Sequence, residues 1–135
     1  MGDPAGIGGE IAARAWRELR AAGPAFVALD DPARLSALDP AMPVHAVADT
    51  AEAARVFARA LPVLPVPLAV PAVPGRPDPR NAGAVLSSIE RAVRLVQAGE
   101  AGAVVTNPIH KATLYGAGAG SNYQAQGLKL SKHFV

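Results

Sequence analysis

Short apolar runs alternate with segments of helical periodicity along most of this 135-residue chain. Apolar side chains recur at helical spacing in residues 10–22 and 81–98, whereas the continuous apolar runs at residues 25–29 and 101–106 are typical of buried parallel strands. Because consecutive parallel strands need a crossover connection, this alternation predicts an α/β fold. We expect a mostly parallel sheet with helices on both faces.

Shorter elements complete the predicted pattern, and capping signals mark several of their ends. Asp31 followed by Pro32 predicts a capped helix start, Thr50 is the predicted N-cap of the next helix, and Gly99 is the predicted stop of the helix over residues 81–98. The remaining predicted elements are a helix at 32–38, a strand at 44–47, a helix at 51–60 and a short helix at 109–115.

Residues 61–79 hold seven of the thirteen prolines. Proline has no backbone N–H, whereas a central strand must donate hydrogen bonds to the strands on both of its sides. The high density of prolines here therefore predicts an edge strand followed by an extended surface loop. A linker between domains and a proline-rich ligand for a partner protein are alternative interpretations. The aliphatic residues between the prolines indicate that this segment is buried rather than exposed for binding to a partner.

Composition indicates a globular protein with a core built mainly from Ala, Val and Leu. Half of the residues are hydrophobic, only 4% are aromatic and there is no cysteine, which excludes disulfides and thiolate metal sites. A net charge of +2 with scattered Lys and Arg predicts no nucleic-acid partner. No signal peptide or membrane-spanning run is recognisable, so we expect a cytoplasmic location and no membrane association.

Four glycines and a proline precede the first predicted helix, in the sequence MGDPAGIGGEI. Gly6 and Gly8 allow tight turns and close approach of the backbone to a ligand, and a helix N-terminus attracts anions. This loop is therefore a candidate anion-binding loop, although a plain turn is the alternative. Asp3 in the same loop could orient a substrate hydroxyl or ammonium group, or could cap the turn.

The second candidate site is the sequence VVTNPIHK, which begins inside the predicted strand at 101–106 and continues past its end. Lys111 could hold a phosphate and His110 could donate or accept a proton, with added hydrogen bonds from Thr106 and Asn107. The alternative is that Lys111 is solvated and His110 belongs to a turn. Ligands of parallel sheets gather at the carboxyl ends of strands, so both loops are expected at one rim. The three histidines lack metal-ligand spacing, and we predict no metal site.

Both motifs carry a resemblance to a known family. The first is similar to the MGDPAGIGPEI signature of the 4-hydroxythreonine-4-phosphate dehydrogenase family of vitamin B6 biosynthesis, with Gly9 where that family usually has Pro. The second is similar to the family's VTxPIHK. The two motifs occur in the same order as in the family, and the likeness runs through residues 1–118.

The resemblance implies a fold like part of the isocitrate and isopropylmalate dehydrogenases. It also implies NAD(P)-dependent, divalent-metal-dependent oxidation of 4-phosphooxy-L-threonine by a homodimer. Asp3, Thr106, Asn107, His110 and Lys111 would then belong to the substrate rim. A sister dehydrogenase for another phosphorylated hydroxy acid and a non-catalytic phosphate-binding module are the alternative hypotheses.

The chain also departs from the family pattern. Family members are more than twice as long, with a strand ahead of the Gly-Asp-Pro loop, and their Gly-His-Thr substrate motif and three metal-binding histidines are absent here. We therefore expect residues 1–118 to form an incomplete N-terminal α/β part and residues 119–135 to lie outside the fold. On this interpretation neither the nicotinamide cofactor nor the metal binds fully to this chain, which is inactive alone.

Overall fold

A computed structural model describes residues 1–116, and these residues form an α/β unit around a three-stranded parallel sheet. Helix α1 spans Gly8–Leu19, α2 Pro32–Leu38, α3 Thr50–Val56, α4 Ala82–Gln97 and α5 Lys111–Gly116. Strand β1 spans Ala28–Asp30, β2 Val44–Ala46 and β3 Leu61–Pro65, and a 3-10 turn at Pro79–Asn81 leads into α4. The predicted α/β class with a parallel sheet is confirmed.

The core lies on both faces of strand β3, because its successive side chains point to opposite sides. Leu61 and Val63 pack with Trp16 of α1 and Leu35 of α2 on one face. Leu64 packs on the other face, where side chains of α3 and α4 cover it. The indole N–H of Trp16 donates to the Phe57 carbonyl over 2.7 Å, so this buried polar group is satisfied.

Strand β3 is the centre of the sheet, whose order is β1-β3-β2, and the prediction of an edge strand here was therefore wrong. The pairing register explains how two prolines fit. Pro62 has its nitrogen toward β1, opposite the residue before that strand begins, and Pro65 has its nitrogen toward β2, beyond the end of that strand. The donors that flank the two prolines are used, since Leu61 N–H bonds to Pro43 O and Val66 N–H bonds to Asp30 O. Neither proline removes a ladder hydrogen bond.

Capping contacts fix the starts of the two short helices. The Asp31 carboxylate accepts from the N–H groups of Ala33 and Arg34, and Pro32 opens α2, as predicted. Helix α3 is capped by Asp49 rather than by Thr50, because the Asp49 carboxylate accepts from Glu52 N–H over 2.7 Å. The Glu52 carboxylate in turn accepts from Ala48 N–H. This arrangement resembles a capping box, except that the Glu52 carboxylate bonds to the residue before the N-cap rather than to the N-cap itself.

The long helix α4 confirms the prediction for residues 81–98, and Gly99 ends it with a φ of 74°. The predicted strand at residues 101–106 was wrong. Within residues 1–116 no strand pairs with this run, and the Val105 side chain is 92% exposed. An apolar run adopts a strand only where a neighbouring backbone completes its hydrogen bonds. Within the described residues, no helix combines the length and apolar character required to cross a bilayer.

Candidate functional site

The two sequence motifs, distant in the chain, are joined by direct contacts. The Asp3 N–H donates to the Pro108 carbonyl over 3.0 Å, and the Asn107 side-chain amide donates to the Gly8 carbonyl over 3.3 Å. The expectation that the two loops meet is thereby confirmed, although no strand directly precedes the second loop within the described residues.

The glycines of the first loop make this approach possible. A Cβ placed on Gly2 would lie 2.6 Å from the Pro108 carbonyl oxygen, and one on Gly8 would lie 3.0 Å from Asn107 Cβ. Gly2 is thus required because the backbone of the second motif passes directly over it. Gly8 makes room for Asn107, whereas its role in anion binding stays a prediction.

A buried ion pair connects the Gly-Asp-Pro loop to the sheet. Asp30 ends strand β1, and its carboxylate lies 3.2 Å from the Arg34 guanidinium on α2. The Arg34 Nε–H donates to the Pro4 carbonyl over 3.0 Å. The loop is therefore attached at the carboxyl end of a parallel strand, where α/β sheets bind ligands.

Burial raises the pKa of Asp30 above its ordinary value, although Arg34 and the Asp31 N–H act in the opposite direction. Both side chains of the ion pair are more than nine-tenths buried. Removing one partner would leave an uncompensated charge in the interior, which typically costs about 3–5 kcal/mol of stability. The pair therefore has a structural function, with the loop's Pro4 carbonyl as a third member.

A shallow, open cleft lies between the Gly-Asp-Pro loop, the start of α4 and the start of α5. Asp3 and His110 both border it, whereas Thr106 and Lys111 are exposed and do not. The lining residues are Asp3, Pro4, Asp78, Asn81, Ala82, Val85, Ile109, His110, Thr113 and Leu114.

Acidic side chains give the cleft its charge. Asp3 Oδ1 accepts from Ala5 N–H over 2.9 Å, which matches the capping interpretation of this residue. Asp78 pairs with Arg80 at 2.6 Å, and hydrogen bonds from Arg80 lower the pKa of Asp78 to about 2. Asp78 is therefore ionised at neutral pH, with its charge balanced by its partner.

Asn81 lines the cleft and is almost fully buried. Its side-chain oxygen accepts from Val70 N–H and its amide donates to Val70 O, at 3.1 and 3.0 Å. The proline-rich connection is thereby fixed to the start of α4. These contacts give the segment a structural role beside the site.

His110 stands immediately before helix α5, with its ring folded back onto that helix. Its Nδ1 lies 2.6 Å from Thr113 Oγ1 and accepts from Thr113 N–H over 3.3 Å. Lys111, the first residue of α5, projects from the same turn as an exposed side chain.

Sequence reasoning missed several residues of this region. Asp78, Asn81 and Thr113 line the cleft through tertiary packing. Asp78 did carry a local signal, because Asp78-Pro79 repeats the Asp31-Pro32 pattern of a capped helix start. The Asp30–Arg34 pair did carry a signal, because the two residues are four apart across a capped helix start.

The described residues do not by themselves form a metal centre. Within residues 1–116, no three His, Cys, Asp or Glu side chains come together as a potential ligand set. The residues present therefore do not fit the divalent metal that the resemblance implies, and no chemical step through a metal is derived from them.

Comparison with known proteins places this region in a family. Residues 23–131 match the family model described as pyridoxal phosphate biosynthetic protein PdxA. This match runs past residue 118, where the fold was predicted to end. Because the structure describes residues 1–116, that boundary and the tail at 119–135 stay predictions.

Relatives in several bacteria are similar over most of the chain. A 4-hydroxythreonine-4-phosphate dehydrogenase of Caulobacter vibrioides is 48% identical over 117 residues, covering 87% of this chain and 35% of the relative. The proteins of the same name in Methylorubrum populi and Xanthobacter autotrophicus are 51% and 46% identical, and 84% and 87% of this chain is covered.

The chain spans about a third of the length of these curated relatives. The family model nevertheless covers far more than half of the chain, and the joined Gly-Asp-Pro and Asn-Pro-Ile-His-Lys loops are the two motifs that carried the resemblance. The chain belongs to the pyridoxal phosphate biosynthetic protein PdxA family.

Proposed function

We propose that this chain is the N-terminal portion of a 4-hydroxythreonine-4-phosphate dehydrogenase and supplies part of its substrate rim. The observation that carries the proposal is the 46–51% identity to three dehydrogenases of that name over most of this chain. The whole enzyme would oxidise 4-phosphooxy-L-threonine with NAD or NADP. A divalent metal, a homodimeric assembly and a cytoplasmic location belong to the same proposal.

The charges around the cleft support different binding roles for Asp3 and Lys111 in the substrate rim. Asp3 borders the cleft with a carboxylate that suits the hydroxyl or ammonium group of the substrate. Lys111 stands outside the cleft, one residue after His110, and suits the phosphate as a point charge. Thr106 and Asn107 precede them in the same loop and would add hydrogen bonds. Gly6 and Gly8 would keep the opposite loop close to the ligand.

A chimaera tests the function directly. Residues 1–116 of this chain replace the aligned segment of the Caulobacter vibrioides relative, and reduction of NAD and NADP is measured with 4-phosphooxy-L-threonine. We expect turnover by the chimaera and none by the 135-residue chain alone.

Lys111→Ala in the chimaera should lower kcat/KM at least about tenfold, since a hydrogen bond to a charged group contributes about 1.5–3 kcal/mol. Arg59→Ala is the matched control, because Arg59 is an exposed cation that precedes β3 and so lies at the opposite end of the sheet. A folded chimaera without turnover, combined with saturable binding of the phosphorylated substrate to this chain, would favour the non-catalytic binding module.

A further inference from the structure

The ring of His110 is held so that its two nitrogens have different functions. Nδ1 accepts the backbone N–H of Thr113, and a backbone N–H can only donate. The same N–H also donates to the His110 carbonyl oxygen over 3.1 Å, so it is shared between two acceptors. This geometry favours an Nδ1 lone pair directed toward α5, and in that tautomer the Thr113 hydroxyl at 2.6 Å acts as a second donor. In the neutral ring the single hydrogen then resides on Nε2.

We propose that Thr113 is a positioning residue that keeps His110 in its Nε2–H form, so that His110 offers the cleft a hydrogen-bond donor rather than a base. Within residues 1–114, Nε2 makes no hydrogen bond. An Nε2–H donor selects an acceptor, namely an anionic oxygen of the ligand. The identification of that ligand as a phosphorylated hydroxy amino acid rests on the proposed function.

The residues that share the cleft with His110 provide hydrogen-bond acceptors that complement an Nε2–H donor. Asp3 and Asp78 line the same cleft and act as acceptors, with Asp78 occupied by Arg80. A donor and a carboxylate that border the same cleft match a small molecule that carries both an anionic oxygen and a hydroxyl or ammonium group. A base at this position would instead repel anionic oxygens, because two lone pairs would face each other.

The tautomer is measured by long-range ¹H–¹⁵N correlation of the imidazole rings in the full 135-residue chain at pH about 8. The His110 signals are those that disappear in His110→Asn. We expect a pyridine-type Nδ1 and a pyrrole-type Nε2. Thr113→Val removes the hydroxyl and keeps the backbone N–H, so it should move both signals only part of the way toward their average, and Thr113→Ser, which keeps the hydroxyl, should restore them. A pyrrole-type Nδ1 in the unaltered chain would overturn the proposal.

The donor function is tested by binding of inorganic phosphate and of 4-phosphooxy-L-threonine to the same chain. An Asn side chain at position 110 can still cap α5 but has no group at the position of Nε2, whereas the Gln amide nitrogen reaches it. We expect His110→Asn to weaken binding of the phosphorylated substrate about tenfold and His110→Gln to weaken it less than about threefold.

Equal affinities of the Asn variant and the unaltered chain would overturn the donor function. The two proposals fail separately. An unaltered chain with the expected tautomer that binds neither probe would contradict the donor function, whereas the proposed function is tested separately by turnover of the chimaera. Firm binding together with the opposite tautomer would contradict only the function of Thr113.

Discussion

Residues 61–65 form the central strand β3 and residues 101–106 form no strand, although their sequences suggest the opposite outcome. β3 contains two prolines yet lies at the centre of the sheet with Leu61 and Val63 fully buried. The second run has no proline and an apolar, β-branched centre, yet Val105 is almost fully exposed. Neighbouring backbone on both sides, rather than propensity, therefore decides whether an apolar run becomes a strand.

The largest effect should come from a truncation in the central strand. Leu61→Ala removes a fully buried side chain next to Trp16 and leaves a cavity, so we expect a loss of about 2–5 kcal/mol in the free energy of unfolding. Val105→Ala is the control, with an expected change within about 0.5 kcal/mol. Urea titration followed by circular dichroism measures both. Similar losses for the two variants would mean that residues 101–106 are packed as firmly as the sheet.

A smaller effect is expected where the two regions are joined. Gly2→Ala places a Cβ against the Pro108 carbonyl and Asn107, which should separate the loops at a cost of about 1–3 kcal/mol. Hydrogen exchange of the Asp3 N–H, which bonds to Pro108, reports the separation.

Gly83→Ala is the matched control for the loop contact, because a Cβ on Gly83 meets no atom within 4 Å and the residue lies in helix α4. Alanine there should stabilise the helix by about 0.5–1 kcal/mol. Unchanged exchange at Asp3 in Gly2→Ala would contradict the close packing of the two motifs.

The smallest effect concerns Asp78 at the cleft and depends on pH. Its pKa is lowered to about 2 by Arg80, so its stabilising contribution is present above the ordinary carboxyl pKa near 4 and is lost as the pH falls toward 2. Asp78→Asn lacks this contribution at every pH. The difference in Tm between the two proteins should therefore be larger at pH 7 than at pH 3, and thermal melts at both values test it. A constant difference would assign the effect to shape alone.

Local signals predicted the parts of the fold that depend on local chemistry. The α2 start at Asp31–Pro32 and the Gly99 stop of α4 were both correct, since capping involves residues within one turn. Thr50 was assigned a cap that belongs to Asp49, an error of one residue between two side chains that can both accept a hydrogen bond.

The candidate site was predictable to a lesser degree. The predicted meeting of the loops at Asp3 and Asn107 agrees with their contacts, although the strand at 101–106 on which the prediction depended is not formed. The contributions of Asp78 and Thr113 could not be foreseen, because they depend on how α4 and α5 pack against the first loop. The binding roles assigned to Asp3, Thr106, Asn107, His110 and Lys111 stay predictions that the variants above would test.

The two prolines of β3 also restrict the register in which this strand can pair with its neighbours. Shifting β3 by one residue would turn Pro62 toward β2, and shifting it by two toward the carboxyl end would place its nitrogen opposite the Ala28 carbonyl. In both cases an acceptor inside the sheet would face a nitrogen that has no hydrogen to give. Misaligned strand pairings therefore lose hydrogen bonds. The two prolines thus favour the observed alignment of β3 over the shifted ones.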